Sequence, residues 1–288
     1  MTTVTAPSTP SAPAGANATN AGPGGAAAAG ATIGATVAAA AEAAEAAAEA
    51  HRAWAQSRHE AVTAPQGVLS LVLQAWAGAG EPEVTEAEAR QGHPADAVFT
   101  RLQRPELETG EVQEGYRIWR SDSPAQQAFE AIEVYDYDPA WVIEGRFELV
   151  DEDRVVPIEH LLDGGATREL PVSGDLVFTH EGQEVRLAAF DANYGGSRIL
   201  HLVFADQSNG AESYGTGRFL LLEHPATDGL TTGGSVDLTI DFNRVVVPPC
   251  GFSNQMNCPL PPLQNRLPFA VRAGERNVRF AEGFSLHG

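Results

Sequence analysis

From Tyr116 onward, turn residues cut the chain into short apolar β runs, and this spacing constrains the fold more than any other feature. The runs are GYRIWR, AWVIEGRFELV, DRVVPIEHLL, GDLVFTH, QEVRLAAF, RILHLVFA, GRFLLLEH, VDLTIDFNRVVV and FAVRA, with Gly, Asp, Asn, Pro or Ser between most of them. Nine runs at near-regular spacing, with no helical pattern between them, predict an antiparallel β-barrel or sandwich rather than βαβ units. THEGQE reads as a hairpin turn between two of the runs. The β domain is expected over residues 115–280, followed by a C-terminal tail, 281–288.

The sequence ahead of it has a different texture. Residues 1–45 are nearly pure Ala, Gly, Thr, Ser, Pro and Asn, too poor in large apolar side chains to offset the entropy of ordering the backbone. We expect a disordered low-complexity tail. The Ala/Glu-rich stretch from 38 to 62 predicts a helix with Trp54 as its one large apolar side chain. VLSLVLQAWAG follows, short and apolar enough for either a buried helix or a strand, so that helix and apolar segment together occupy residues 46–77. Residues 78–114 are acidic and broken by Gly and Pro, which predicts an irregular linker.

Charge excludes whole classes of partner. The formal net charge is −20 and all 18 basic residues are arginine, so nucleic acid and anionic lipid would be repelled at long range. No run reaches the roughly 20 apolar residues of a membrane span. The first basic residue, Arg52, comes too late for a secretory leader. A soluble, cytoplasmic protein is the expectation, with oligomeric state left open. No cofactor and no metal site is expected.

Candidate functional residues collect near one strand and the loop after it. In VDLTIDFNRVVV, Val236, Leu238, Ile240 and Phe242 share one face, and Asp237, Thr239, Asp241 and Asn243 the other. The polar face either meets water and caps the next loop or, in a closed barrel, lines a pocket. The loop PPCGFSNQMNCPLPP, 248–262, holds both cysteines and five of the nineteen prolines. Prolines fix φ, so Pro248, Pro249 and Pro259 predict a stiff, pre-shaped flap over one rim, followed by Asn265 and Arg266.

Cys250 and Cys258 admit four readings. A disulfide would close a nine-residue loop and contribute about 2.5 kcal/mol, but a reducing compartment disfavours it. Zinc needs about four ligands, and His160, His201 and His224 show no ligand spacing. A catalytic thiol needs a histidine and an orienting group, for which Cys250 with His201 or His224 and Asp241 or Asn243 supplies the inventory. Buried thiols behaving as small hydrophobes are the commonest outcome. In ADQSNGAESYGTGRF the glycines suit a hairpin or bulge better than a phosphate loop, because no helix N-terminus follows. Arg218 there is a candidate contact for a carboxylate, set against a structural ion pair.

Several segments also resemble a known family. GRFLLLEHP, VDLTIDFNRVVVPPCGF and NCPLPPLQNRLPFAVRAGER look like the marker segments of DUF1684, an uncharacterised bacterial and archaeal family, and TAPQGVLSLVLQAWAG, YRIWRSDSPAQQAF and YDPAWVIEGRFE resemble its earlier ones in order. The resemblance covers about residues 51–280. Many relatives carry a small forkhead-associated-type insert where this chain has only 78–114, which reads as an eroded subdomain. Where relatives tend to have Ala-Tyr-Asn before Pro-Pro-Cys, this chain has Val245, Val246 and Val247. The family brings no activity with it.

Two functions follow as expectations. One is a binding domain holding a small polar or carboxylate ligand near Arg218, Asp241, Asn243 and Asn265 beneath the proline loop. The alternative is a hydrolase or isomerase using Cys250 or an Asp241/His201 pair.

Overall fold

The computed structural model describes residues 25–78, 84–105, 111–194 and 196–287. The chain divides into two units, Met1–Glu45 and Ala46–Gly288. Helix α1 spans Gly25–Thr63. It therefore starts inside the segment expected to be a disordered tail, because a run of alanines gains helical hydrogen bonds at little side-chain cost without needing a core. The rest of that expectation, residues 1–24, lies outside the described residues.

The second unit is mainly β, as expected. Its centre is a six-stranded antiparallel half-barrel formed by β5 (Val142–Glu148), β8 (Gly174–His180), β9 (Gln183–Tyr194), β10 (Ser197–Phe204), β11 (Arg218–Glu223) and β12 (Ser235–Asp241), in the order β11-β10-β9-β8-β5-β12. Past β12 the chain makes a 3-10 turn, Phe242–Arg244, and Val246 then exchanges both backbone hydrogen bonds with Phe219 at the opposite edge (2.8 and 2.9 Å). That single bridge brings the two edges of the sheet together. The THEGQE turn is a two-residue hairpin with His180 paired to Gln183, and Glu181 (φ 49°) and Gly182 (φ 79°) both lie in the left-handed region that such turns demand.

Strand alternation decides what fills the half-barrel. Leu200, Leu202 and Phe204 of β10 point inward with Leu176, Phe147, Ile240 and Phe242, all buried, so the interior is a packed core. The opposite face of β9–β11 carries Phe190, His201 and Phe219, and other elements cover it. A ribbon of β6 (Val155–Glu159) and β7 (Thr167–Pro171) packs Val156 and Ile158 against Ala188 and Phe190. A second ribbon joins β4 (Phe129–Val134) to β13 (Glu275–Phe280).

A three-stranded sheet, β1-β3-β2, completes the unit from β1 (Leu71–Trp76), β2 (Val98–Pro105) and β3 (Val112–Trp119). The ambiguous apolar segment is thus a 3-10 turn, Val68–Ser70, running into a strand. The expected linker is largely ordered among its described residues: helix α2 (Glu86–Ala89) starts on a Thr85/Glu88 capping box, and β2 pairs with β3 along its length. Its acidic, Gly/Pro-broken composition hid a strand whose apolar partners come from elsewhere in the chain. FAVRA is the other correction. It is not a strand, since Arg218 captures the carbonyls of Val271 and Ala273 that a neighbouring strand would have taken. The sheet residues are instead the polar-looking ERNVRF of β13. The C-terminal stretch read as a tail packs Phe284 on Phe280, ring centroids 5.0 Å apart.

Within the second unit, the last turns of α1 pack on the β strands through positions spaced three and four apart. His51 bonds to the Tyr135 carbonyl (3.1 Å) and stacks on Trp54 (5.2 Å), Arg58 reaches Glu275, and Val62 is buried. Arg244 lies over the Trp54 ring at 5.3 Å, so the one large apolar side chain of the helix does contribute to docking.

Candidate functional site

The residues expected to bind a ligand are spent on structure. Arg218 is fully buried. Its guanidinium pairs with Asp206 (2.7 Å) and donates to the carbonyls of Val271 (2.6 Å), Ala273 (2.9 Å) and Glu275 (3.0 Å). Asp241 caps the 3-10 turn after β12, accepting from the backbone N–H and the side-chain amide of Asn243 at 2.9 Å each. Asn243, also fully buried, bonds to both the N–H and the carbonyl of Asp138 (3.0 Å each) and so stitches the end of β12 to the β4–β5 connection. Asp237 and Thr239 face water. The solvated, loop-capping reading of this face therefore describes the geometry, since the barrel interior next to it is filled.

Asn265 is likewise internal. The β9–β10 ladder runs as far as His201 opposite Phe190, and beyond it the Asn265 amide accepts from the Ala188 N–H (2.8 Å) and donates to the carbonyls of Ala188 and Val203 (2.9 Å each). The side chain replaces the missing rung.

The cysteines are free and buried. The Cys250 N–H donates to the Cys258 sulfur (3.2 Å), and the Tyr214 hydroxyl donates to the Cys250 sulfur (3.7 Å). The partners of Cys250 are thus Cys258, Tyr214 and Thr216 rather than His201 or His224, and the charged neighbour of Asp241 is Arg244 rather than His201. Among the described residues no cluster of His, Cys, Asp and Glu is arranged to hold a metal. The bond from the Cys258 thiol lowers Cys250 to about 7, against the opposing effect of burial, while Cys258 is raised because ionising it would break that bond. Because the folded pKa lies below the ordinary thiol value, Cys250 adds stability as pH rises from about 7 towards about 9 and loses it as pH falls back through 7. Thiolate absorbance of the native protein should show one thiolate titrating near 7. Cys258→Ala should move that titration upward and Cys258→Ser should retain it; an unmoved titration in Cys258→Ala removes the paired-thiol account.

The loop fixes more than its own shape. Ser253 Oγ donates to the Leu71 carbonyl (3.1 Å), Gln255 accepts from the Gln74 N–H (3.2 Å), and Asn257 bonds to Leu162 N–H (2.7 Å) and Asp163 (2.7 Å). It clamps the three-stranded sheet and the end of β6 to the half-barrel. Between this loop, the last turns of α1 and the outward face of β9–β11 lies a cavity of about 400 Å³. Val62, Phe219, Leu221, Val246, Phe252 and Met256 supply an apolar wall; Arg58 and His201 are its ionisable members.

Of the sequence candidates, His201 and Pro249 of the proline loop line this cavity, and His201 is the one with chemistry to offer. It stands edge-on to Phe219, ring centroids 4.4 Å apart, and its Nε2 is buried with no hydrogen-bond partner. Burial lowers its pKa from 6.5 to about 4, leaving the imidazole neutral near pH 7. The unfolded chain takes up a proton first as pH falls, so stability is full above about 6.5 and is lost progressively down to about 4, by up to about 3 kcal/mol. His201→Leu should flatten the stability profile in that window; an unchanged profile would mean that the imidazole is solvated. Arg58 was missed, although its spacing from Trp54 and Val62 on one helix face could have flagged it. Glu275, its fully buried partner at 2.6 Å, carried no local signal.

A curled antiparallel sheet with a filled interior, clamped from outside by a proline-rich loop, defines a β domain with a cavity on the outward face of the sheet. The chain belongs to the DUF1684 family, described as proteins of unknown function, whose family model matches residues 127–276. An uncharacterised protein of Haloarcula marismortui, solved by solution NMR, is 32% identical over 51% of this chain and 77% of its own, with a TM-score of 0.41. No curated protein matches the chain. No helix among the described residues is long and apolar enough to cross a membrane.

Proposed function

We propose that this protein is a small-molecule-binding β domain whose ligand occupies the cavity beside the proline/cysteine loop. The observation that carries the reading is a cavity of about 400 Å³ with a largely apolar wall, into whose lining His201 brings a neutral imidazole with an unpartnered Nε2. Pockets of this size with few convergent polar groups are the usual form of ligand sites. The site differs from the one expected at Arg218, Asp241, Asn243 and Asn265, whose hydrogen bonds serve the fold. Two free, buried thiols support a reducing, cytoplasmic setting, and the net charge of −20 argues against nucleic acid and membrane partners.

Thermal-shift screening tests the reading. A ligand at 100 times its Kd should add about 2.7 kcal/mol of stability. Leu221→Trp, which fills the cavity from β11, should abolish the shift while the variant stays folded. A ligand whose shift survives Leu221→Trp binds elsewhere and removes the proposal.

A further inference from the structure

We infer that the ligand of this cavity is a neutral, largely apolar molecule carrying a single hydroxyl or comparable hydrogen-bonding group, and not a carboxylate. The inference rests on the cavity being the binding site. Its first support is charge. Arg58 is the cavity's only cation among the described lining residues, and Glu275 already neutralises it through contacts of 2.6 and 3.3 Å. Glu275 is fully buried and is further held by the Val247 N–H at 2.8 Å, so the pair cannot separate without stranding a buried carboxylate. An incoming carboxylate would give up its water and meet a pair of zero net charge.

The second support is His201. Its Nε2 has no hydrogen-bond partner among the described residues and burial holds the ring neutral, so the imidazole carries one N–H and one lone pair. A hydroxyl answers either tautomer, because it both donates and accepts. Gln66 and Asn193, both exposed, mark the mouth, whereas Phe219, Leu221, Val246 and Phe252 form the apolar wall. A ligand body with one polar group directed at His201 fits that distribution.

Three matched probes test this: 4-tert-butylbenzyl alcohol, 4-tert-butylbenzoate and tert-butylbenzene, titrated into the full chain at pH 7.5 by ligand-observed NMR. The alcohol should bind at least tenfold tighter than the benzoate. His201→Phe should weaken the alcohol about tenfold without changing the affinity for the hydrocarbon, and His201→Gln, which keeps a neutral hydrogen-bonding side chain, should retain the preference. Leu221→Trp should remove binding of all three. Tighter benzoate binding that Leu221→Trp abolishes overturns the ligand class and leaves the cavity reading standing. Binding insensitive to Leu221→Trp, or no binding by any probe, overturns the cavity reading itself.

Discussion

Arg218→Met should lower the unfolding free energy by about 3–5 kcal/mol, measured as a shift in urea midpoint at constant m-value. The methionine fills most of the volume, but it leaves the buried Asp206 without its counter-charge and the carbonyls of Val271, Ala273 and Glu275 without their donor. Among the described residues Asp206 keeps the backbone N–H groups of Ser208 (2.7 Å) and Val271 (3.3 Å). Arg218→Met combined with Asp206→Asn should cost less than the sum of the two single changes, because the second change removes the stranded charge. A loss under about 1 kcal/mol would reopen Arg218 as a ligand contact, since a surface-like ion pair is worth no more than that.

Asn265→Ala should cost about 3 kcal/mol, because it leaves one buried N–H and two buried carbonyls unsatisfied where the β9–β10 ladder ends. The effect should be local in character. Amide exchange at Ala188 should accelerate far more than at Leu176 or Val177 on β8, where β9 pairing is intact. Asn265→Asp should be worse than the alanine change, since it removes both donors and adds a buried charge. Unchanged protection at Ala188 would show that water or a shifted strand replaces the amide, and that Asn265 is dispensable to the sheet.

These two residues show how far the sequence could be read. The sequence marks both as candidate ligand contacts, and their structural role is invisible in it. A buried Arg or Asn looks the same in a sequence whether it meets a ligand or three carbonyls. The groups that decide lie far along the chain: Arg218 bonds to residues 271–275, and Asn265 to Ala188 and Val203. The sequence offers His201 as a catalytic partner of Asp241 or Cys250, yet the fold gives it Phe219 and a largely apolar cavity instead.

What the sequence by itself determined is everything that depends on near neighbours: the antiparallel β class, the left-handed turn at Glu181 and Gly182, the inward set of Val236, Leu238, Ile240 and Phe242, the Ala/Glu helix and family membership. Alternation, turn geometry and helix propensity act over a few residues and leave a local trace. Only the tertiary structure decided that FAVRA is not a strand while ERNVRF is, that the half-barrel interior is filled, and that a cavity with His201 in its lining lies on the opposite face of the sheet. Those outcomes turn on which distant groups satisfy each buried donor, acceptor and charge, and that pairing leaves no pattern along the chain.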